Sequence, residues 1–186
     1  MKVPIKIKLP DGLKEGARLR GRLDIEVYDN AENMKLISKS SGHNVVTNEG
    51  LDALLDIMLH ADTQITTWYC VISETDTAGA AGLTYAVPTF TEWTAYDEAT
   101  RPAYVEAAAS SQSITNSANK AVFTANDTKT LYGAGLVGGG STPGTKDDQA
   151  GGGTLFNYGK FAASQPVVSA NVVNLTITIS AADDGV

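Results

Sequence analysis

The chain has 186 residues, 42% of them hydrophobic, and a net charge of −7. That length suits one domain with appendages, and it is enough to bury a core. The acidity argues against sequence-independent binding of nucleic acid, no run approaches the roughly 18 apolar residues of a membrane span, and the single Cys70 excludes an intrachain disulfide or a cysteine zinc cluster.

Residues 1–22 read as a basic extended arm. They hold half of the chain's 14 basic residues (Lys2, Lys6, Lys8, Lys14, Arg18, Arg20 and Arg22) and only Asp11 and Glu15 of its 21 acids. Such asymmetry suggests a partner-binding segment on an acidic body. In "VPIKIKLP" the apolar Val3, Ile5, Ile7 and Leu9 alternate with Lys6 and Lys8, while Pro4 and Pro10 bar the segment from the middle of a sheet. An edge strand, or a tail that orders on a partner, is expected. The lysines are not followed by an apolar stretch, so no secretory signal is expected and assembly in a cytoplasm is.

From residue 23 to 186 a single β-rich domain is expected. "RLDIEVYD" puts Leu23, Ile25 and Val27 on one face and Asp24, Glu26 and Tyr28 on the other. That is a half-buried strand. "DNAEN" reads as a turn and "MKLISKSSGHNVV" as the returning strand of a hairpin. "TNEGLDALLDIMLHAD" predicts one short helix over about 48–60, capped by Thr47 or Asn48, with Glu49 in its first turn. Leu51, Leu54, Leu55, Met58 and Leu59 form its apolar stripe, with Asp52 and Asp56 facing out. "TTWYCVIS" is a short apolar run, expected as a central strand buried on both faces, with Cys70 as a buried thiol.

Residues 74–90 read as loop. "SITNSANKAVFTAN" reads as two strand ends around a turn, and "KTLYGAGLV" as a further strand. The glycine-rich loop at 138–153 is expected to be exposed and mobile. "TLFNYGKFAA" returns from it. "VVNLTITIS" closes the chain with Val173, Leu175, Ile177 and Ile179 inward. Six to eight short strands and one helix predict a mainly antiparallel β-sandwich or jelly-roll-like fold.

Chemistry-bearing motifs are weak. "GAGLVG" matches a dinucleotide fingerprint at Gly133, Gly135 and Gly138, but Pro143 and further glycines follow where a helix must open. "GGSTPGTK" inverts the Lys-Thr order of a phosphate loop and also lacks a helix. Asp147-Asp148 and Asp183-Asp184 lack the oxygen spacing of a calcium loop. His43 and His60 suit a turn and a helix end, and no nucleophile elbow is present. No catalytic, cofactor or metal residue is therefore assigned.

"EWTAYDEATRPAYVEAA" is the remaining candidate. Glu92, Asp97, Glu98 and Glu106 lie near Trp93, Tyr96 and Tyr104. A glycosidase needs two carboxylates about 5 Å or roughly 6.5–9.5 Å apart, beside such aromatics. Yet Arg101 is the only Arg after residue 22, it has several acids in reach, and Pro102 forces it out of helical geometry. A bidentate Arg–carboxylate pair would pin an irregular crossing. Trp93, Tyr96, Arg101 and Pro102 are expected to form such a structural pin rather than an active site.

Taken in order, "NVVTNEGLDALLDIML", "WYCVISETDT", "TEWTAYDEATRPAYVEAAASSQSITNSANKAVFTAN", "LYGAGLVGG", "GGGTLFNYGKFA" and a Thr-rich closing strand resemble small β-rich structural proteins of tailed-bacteriophage particles. The resemblance covers roughly residues 44–182. Its most specific parts are Glu-Trp-x-x-Tyr…Arg-Pro and Ser-Ile-Thr-Asn-Ser. It implies a non-enzymatic virion role, foremost a capsid decoration (cement) protein that binds the major capsid protein, often as a trimer, without cofactor, nucleic acid or membrane. The alternative is a tail-associated protein of a fibre, tailspike or baseplate, with Trp93, Tyr96 and Tyr104 as stacking platforms for carbohydrate.

Overall fold

A computed structural model describes residues 17–183. The arm residues Lys2, Lys6, Lys8 and Lys14 lie outside the described residues, as does Asp184. The expected β-rich antiparallel fold with one short helix is the one the described chain adopts. Its elements are β1 (Ala17–Tyr28), β2 (Leu36–Val46), α1 (Asn48–Leu59), β3 (Trp68–Ser73), β4 (Ser113–Thr115), β5 (Ala121–Thr124), β6 (Lys129–Gly138), β7 (Thr154–Val167) and β8 (Val172–Asp183). The strands join in one sheet of order β3-β6-β7-β2-β1-β8-β4, and β5 also pairs with β8. The sheet curls into a half-barrel, so side chains from both ends of that order meet in one core.

Alternation sets the register at the middle of the sheet. Leu23, Ile25 and Val27 of β1 stand opposite Ile177, Leu175 and Val173 of β8, and all six are fully buried. A one-residue slip would turn this whole set to solvent. The intervening Asp24 and Glu26 face outward, where Lys120 Nζ reaches Glu26 at 2.6 Å. The expected β1–β2 hairpin forms, and its turn is closed by the Asp29 carboxylate, which accepts the Lys35 amide at 2.9 Å. β1 begins at Ala17, so Arg18, Arg20 and Arg22 belong to the sheet, along the face of β1 that is exposed.

β3 is buried on both faces, as its apolar run predicts. Cys70 and Ile72 enter the main core. Val71 joins a second cluster with Leu83, Tyr85, Phe90 and Tyr158, formed under the 74–90 loop. β3 is not central, however; it ends the pairing order. Its free edge is covered by residues 92–107, here termed the strap. The Trp93 amide donates to the Ile72 carbonyl at 2.7 Å, Cys70 to Pro102 at 2.8 Å, and Tyr104 to Trp68 at 2.7 Å. A non-local partner has taken the place of a neighbouring strand.

The helix forms where expected but faces differently. Thr47 accepts the Gly50 amide at 2.9 Å as N-cap, and its hydroxyl donates to the Leu155 carbonyl. The expected stripe of Leu51, Leu54, Leu55, Met58 and Leu59 does not enter the core; Leu55 is 54% exposed and Leu59 81%. Gly50 is the residue buried against the body. A Cβ there would lie 2.4 Å from the Phe156 carbonyl oxygen, so only glycine lets the first turn lie on β7. That contact fixes the helix's rotation and turns the leucines away.

Candidate functional site

The strap ties the two edges of the half-barrel together. Besides its bonds to β3, Asp97 donates its amide to Thr124 at 2.8 Å, Asn126 donates to Ala95 at 3.1 Å, and Ala107 donates to Thr115 at 3.2 Å. Its rings fill the space between. Trp93, Tyr96 and Phe123 pack with centroids 5.1–5.8 Å apart. The Tyr104 hydroxyl crosses to β8 and donates to the Ile177 carbonyl at 3.1 Å.

Arg101 is the hub of this arrangement. Nε donates to Glu92 Oε1 at 2.9 Å, and Nη2 donates to Glu92 Oε2 at 2.6 Å. Nη1 donates to the Tyr85 hydroxyl at 3.2 Å and the Pro143 carbonyl at 2.9 Å, and Nη2 also reaches the Asp148 carbonyl at 3.1 Å. These contacts use all five guanidinium N–H groups. Glu92 also accepts the Asp147 amide at 3.0 Å. Burial pushes the Glu92 carboxyl above its ordinary value, against the pull of Arg101. Burial likewise works against the Arg101 charge, but the hydrogen bonds and charge of Glu92, together with Tyr85, outweigh it and hold the guanidinium protonated.

The same hub ties down the glycine-rich loop, which sequence alone suggests is free. Pro143, Gly144 and Asp148 all bond Arg101 through backbone oxygens. Lys146 donates to the Tyr96 carbonyl at 2.6 Å, with its ammonium 3.8 Å from that ring's centroid. The Tyr85 hydroxyl donates to Asp148 at 2.9 Å. Burial opposes the Asp148 charge, but hydrogen bonds from Thr142, Tyr85 and the loop amides hold its carboxyl below the ordinary value.

The four acids of the segment are thus committed separately. Glu92 serves Arg101, Asp97 accepts from Asn126, and Glu98 accepts the Thr124 amide and hydroxyl, while Glu106 is exposed. Trp93 is 0%, Tyr96 2% and Tyr104 6% exposed, so none offers a ring face to a sugar. Pro102 adds its carbonyl to the β3 edge. Gly133, Gly135 and Gly138 lie within β6, paired to β3 on one side and β7 on the other, so their amides form no phosphate nest. His43 is exposed opposite Arg22, and His60 ends α1. Among the described residues no three His, Cys, Asp or Glu side chains converge as metal ligands would.

A feature the sequence did not announce lies at the end of the sheet where β1 begins. An apolar groove of about 530 Å³ runs between α1 and the strands, with Leu19, Ile57, Trp68, Leu136, Phe156 and Ile179 among its walls. On the far side of α1, Leu51, Leu55 and Leu59 make a second apolar ridge at helical i, i+4, i+8 spacing. The leucine periodicity was its signal; which way the helix turns was not encoded there.

No protein-family model matches the chain, and no curated protein matches it.

Proposed function

We propose that the protein is a structural component of a tailed-phage particle, a decoration protein that binds the major capsid protein lattice as a homo-oligomer. The observation that supports this reading is the outward ridge of α1. Leu55 and Leu59 are more than half exposed on a helix whose first turn is anchored to the body. Contiguous apolar surface of this kind is characteristic of contact sites between proteins. A neighbour in a lattice would cover it.

The exposed Arg18 and Arg20 on β1 add positive charge to an otherwise acidic chain, in line with Arg22, which is itself paired with Asp24 at 2.7 Å. Such a row suits an acidic surface on a capsid subunit, and weak contacts repeated over a particle reinforce one another. The commitment of Glu92 and Arg101 to joining structural segments fits a protein whose task is assembly.

Purified protein added to undecorated capsids tests the proposal. Co-sedimentation with density at symmetry-related capsid positions is the expected result. Leu55→Lys/Leu59→Lys should abolish it while leaving the unfolding midpoint unchanged. Density confined to the tail, or no binding, would overturn the decoration assignment.

A further inference from the structure

We propose that the outward ridge of α1 on one copy of this chain receives the β1–β2 hairpin end of a second copy, so that copies join head to tail. The inference rests on reading that ridge as a contact surface and names its occupant; it does not depend on a capsid. Among the described residues, exposed apolar side chains gather in two places. One is the ridge of Leu51, Leu55 and Leu59, continued by Met58. The other is the hairpin end, where Met34, Leu36 and Ile37 are all exposed within four residues, Ile37 by 55%. Outside α1 and the hairpin end, the exposed large apolar side chains are scattered valines, which need no partner.

The hairpin end is shaped before any contact. Asp29 accepts the amides of Asn30 and Lys35 at 2.8 and 2.9 Å, and Asn30 accepts those of Glu32 and Asn33 at 3.0 and 2.9 Å. A preset surface loses little freedom on binding. The two patches cannot meet within one chain. β2 runs from Leu36 at the hairpin end to Val46, and α1 starts at Asn48. At about 3.3 Å per residue, that strand holds them roughly 30 Å apart. α1 also stays at the far end, where Leu54, Ile57 and Met58 share the groove with Leu19 and Ala181.

Charge selects the occupant. The exposed Asp52 and Asp56 directly follow Leu51 and Leu55, and no Lys or Arg occurs between Lys39 and Arg101. Two ridges packed on each other would press these acids together, which like charges disfavour. The hairpin end instead presents Lys35 and Lys39, exposed on either side of Leu36 and Ile37; Glu32 is the exposed acid of its turn. Apolar side chains can thus meet while lysines face aspartates. A contact between unlike surfaces leaves each copy one ridge and one hairpin end to engage further copies, so it closes as a ring or runs on as a filament.

Sedimentation velocity of the full-length chain, without capsids, tests this. The wild type should associate beyond the monomer as its concentration rises. Ile37→Asp and Leu55→Lys should each stay monomeric with an unchanged unfolding midpoint. Their mixture should form a one-to-one pair and nothing larger, because the first supplies an intact ridge and the second an intact hairpin end. Association of Ile37→Asp like that of the wild type would assign the ridge to some other surface of the chain. A wild type that stays monomeric up to its solubility limit would show that the copies do not meet at all. Either result overturns the proposal.

Charge reversal gives an independent readout. Lys35→Glu/Lys39→Glu should weaken association roughly tenfold or more, and adding Asp52→Lys/Asp56→Lys to the same chain should restore it. No recovery would refute the pairing of these two surfaces. Self-association without capsid binding would leave this contact standing and remove the decoration role. Ridge-dependent capsid binding by a chain that never self-associates would sink this contact alone.

Discussion

Arg101 and Glu92, nine residues apart, meet as a bidentate pair almost wholly removed from solvent, with 2.6 Å between Nη2 and Oε2. The pair clasps two passes of the strap along β3: Glu92 bridges to Ser73, and Ala103, two residues after Arg101, bridges to Tyr69. The loop between them swings out to Thr124 and back. The ion pair thereby closes, at the β3 edge, the base of the loop that reaches across to β5.

Arg101→Ala should therefore be costly, because it leaves Glu92 buried without a counter-charge. The expected loss is about 3–5 kcal/mol in urea unfolding. Arg101→Met combined with Glu92→Leu should recover most of it, since apolar replacement of both partners removes the stranded charge. A loss from Arg101→Ala within the ~1 kcal/mol of an exposed pair would contradict the pinning role.

Asn116 fills the gap between β4 and β5 along the edge of β8. Its amide nitrogen donates to Leu175 O at 3.1 Å, and its oxygen accepts the Ile177 amide at 2.8 Å. Asn116→Ala would strand both groups in a buried place, for an expected cost of about 1–3 kcal/mol each at most. Faster hydrogen exchange at Ile177 is the measurement; an unchanged rate would show that the side chain is dispensable.

The Glu26–Lys120 contact predicts one limb of the pH–stability curve. The hydrogen bond from Lys120 holds the Glu26 carboxyl below its ordinary value of 4.5, against a smaller opposing effect of burial. A lowered folded-state pKa means the unfolded chain binds the proton first. The contribution is thus complete above about pH 4.5 and is lost as pH falls through the lower folded value. Both side chains are about a third exposed, so it should not exceed ~1 kcal/mol. Glu26→Gln should flatten that limb; identical acid profiles would remove the assignment.

Gly50→Ala inverts the usual expectation. Alanine favours a helix over glycine by about 1 kcal/mol, yet the new Cβ would meet the Phe156 carbonyl. Net destabilisation, with weaker helical circular dichroism, is the expected outcome. A stabilised variant would mean that α1 is free to lift from β7.

The legible parts of the fold are those with a local period. Alternation in β1 and β8 gave both strands and the faces that pair Leu23 with Ile177. Thr47 was recognisable as a cap because capping is settled within three residues. The orientation of α1 was hidden, since it depends on a glycine meeting backbone 106 residues away. Likewise Arg101 and Glu92 could be paired on the page, but Tyr85, Pro143 and Asp148 could not. They come from two loops whose meeting is a property of the curled sheet. The glycine-rich loop looked free for the same reason.

The place of β8 has a consequence for synthesis. β1 lines one side of this strand, and β4 and β5 share the other. A nascent chain that has not yet delivered residues 172–183 to solution holds three strands without the template they share. Contacts that join the beginning of a sequence to its far end form slowly. Completion of this domain must therefore follow, rather than accompany, the emergence of β1, β4 and β5, and until then Leu23, Ile25 and Val27 lack the strand that stands opposite them.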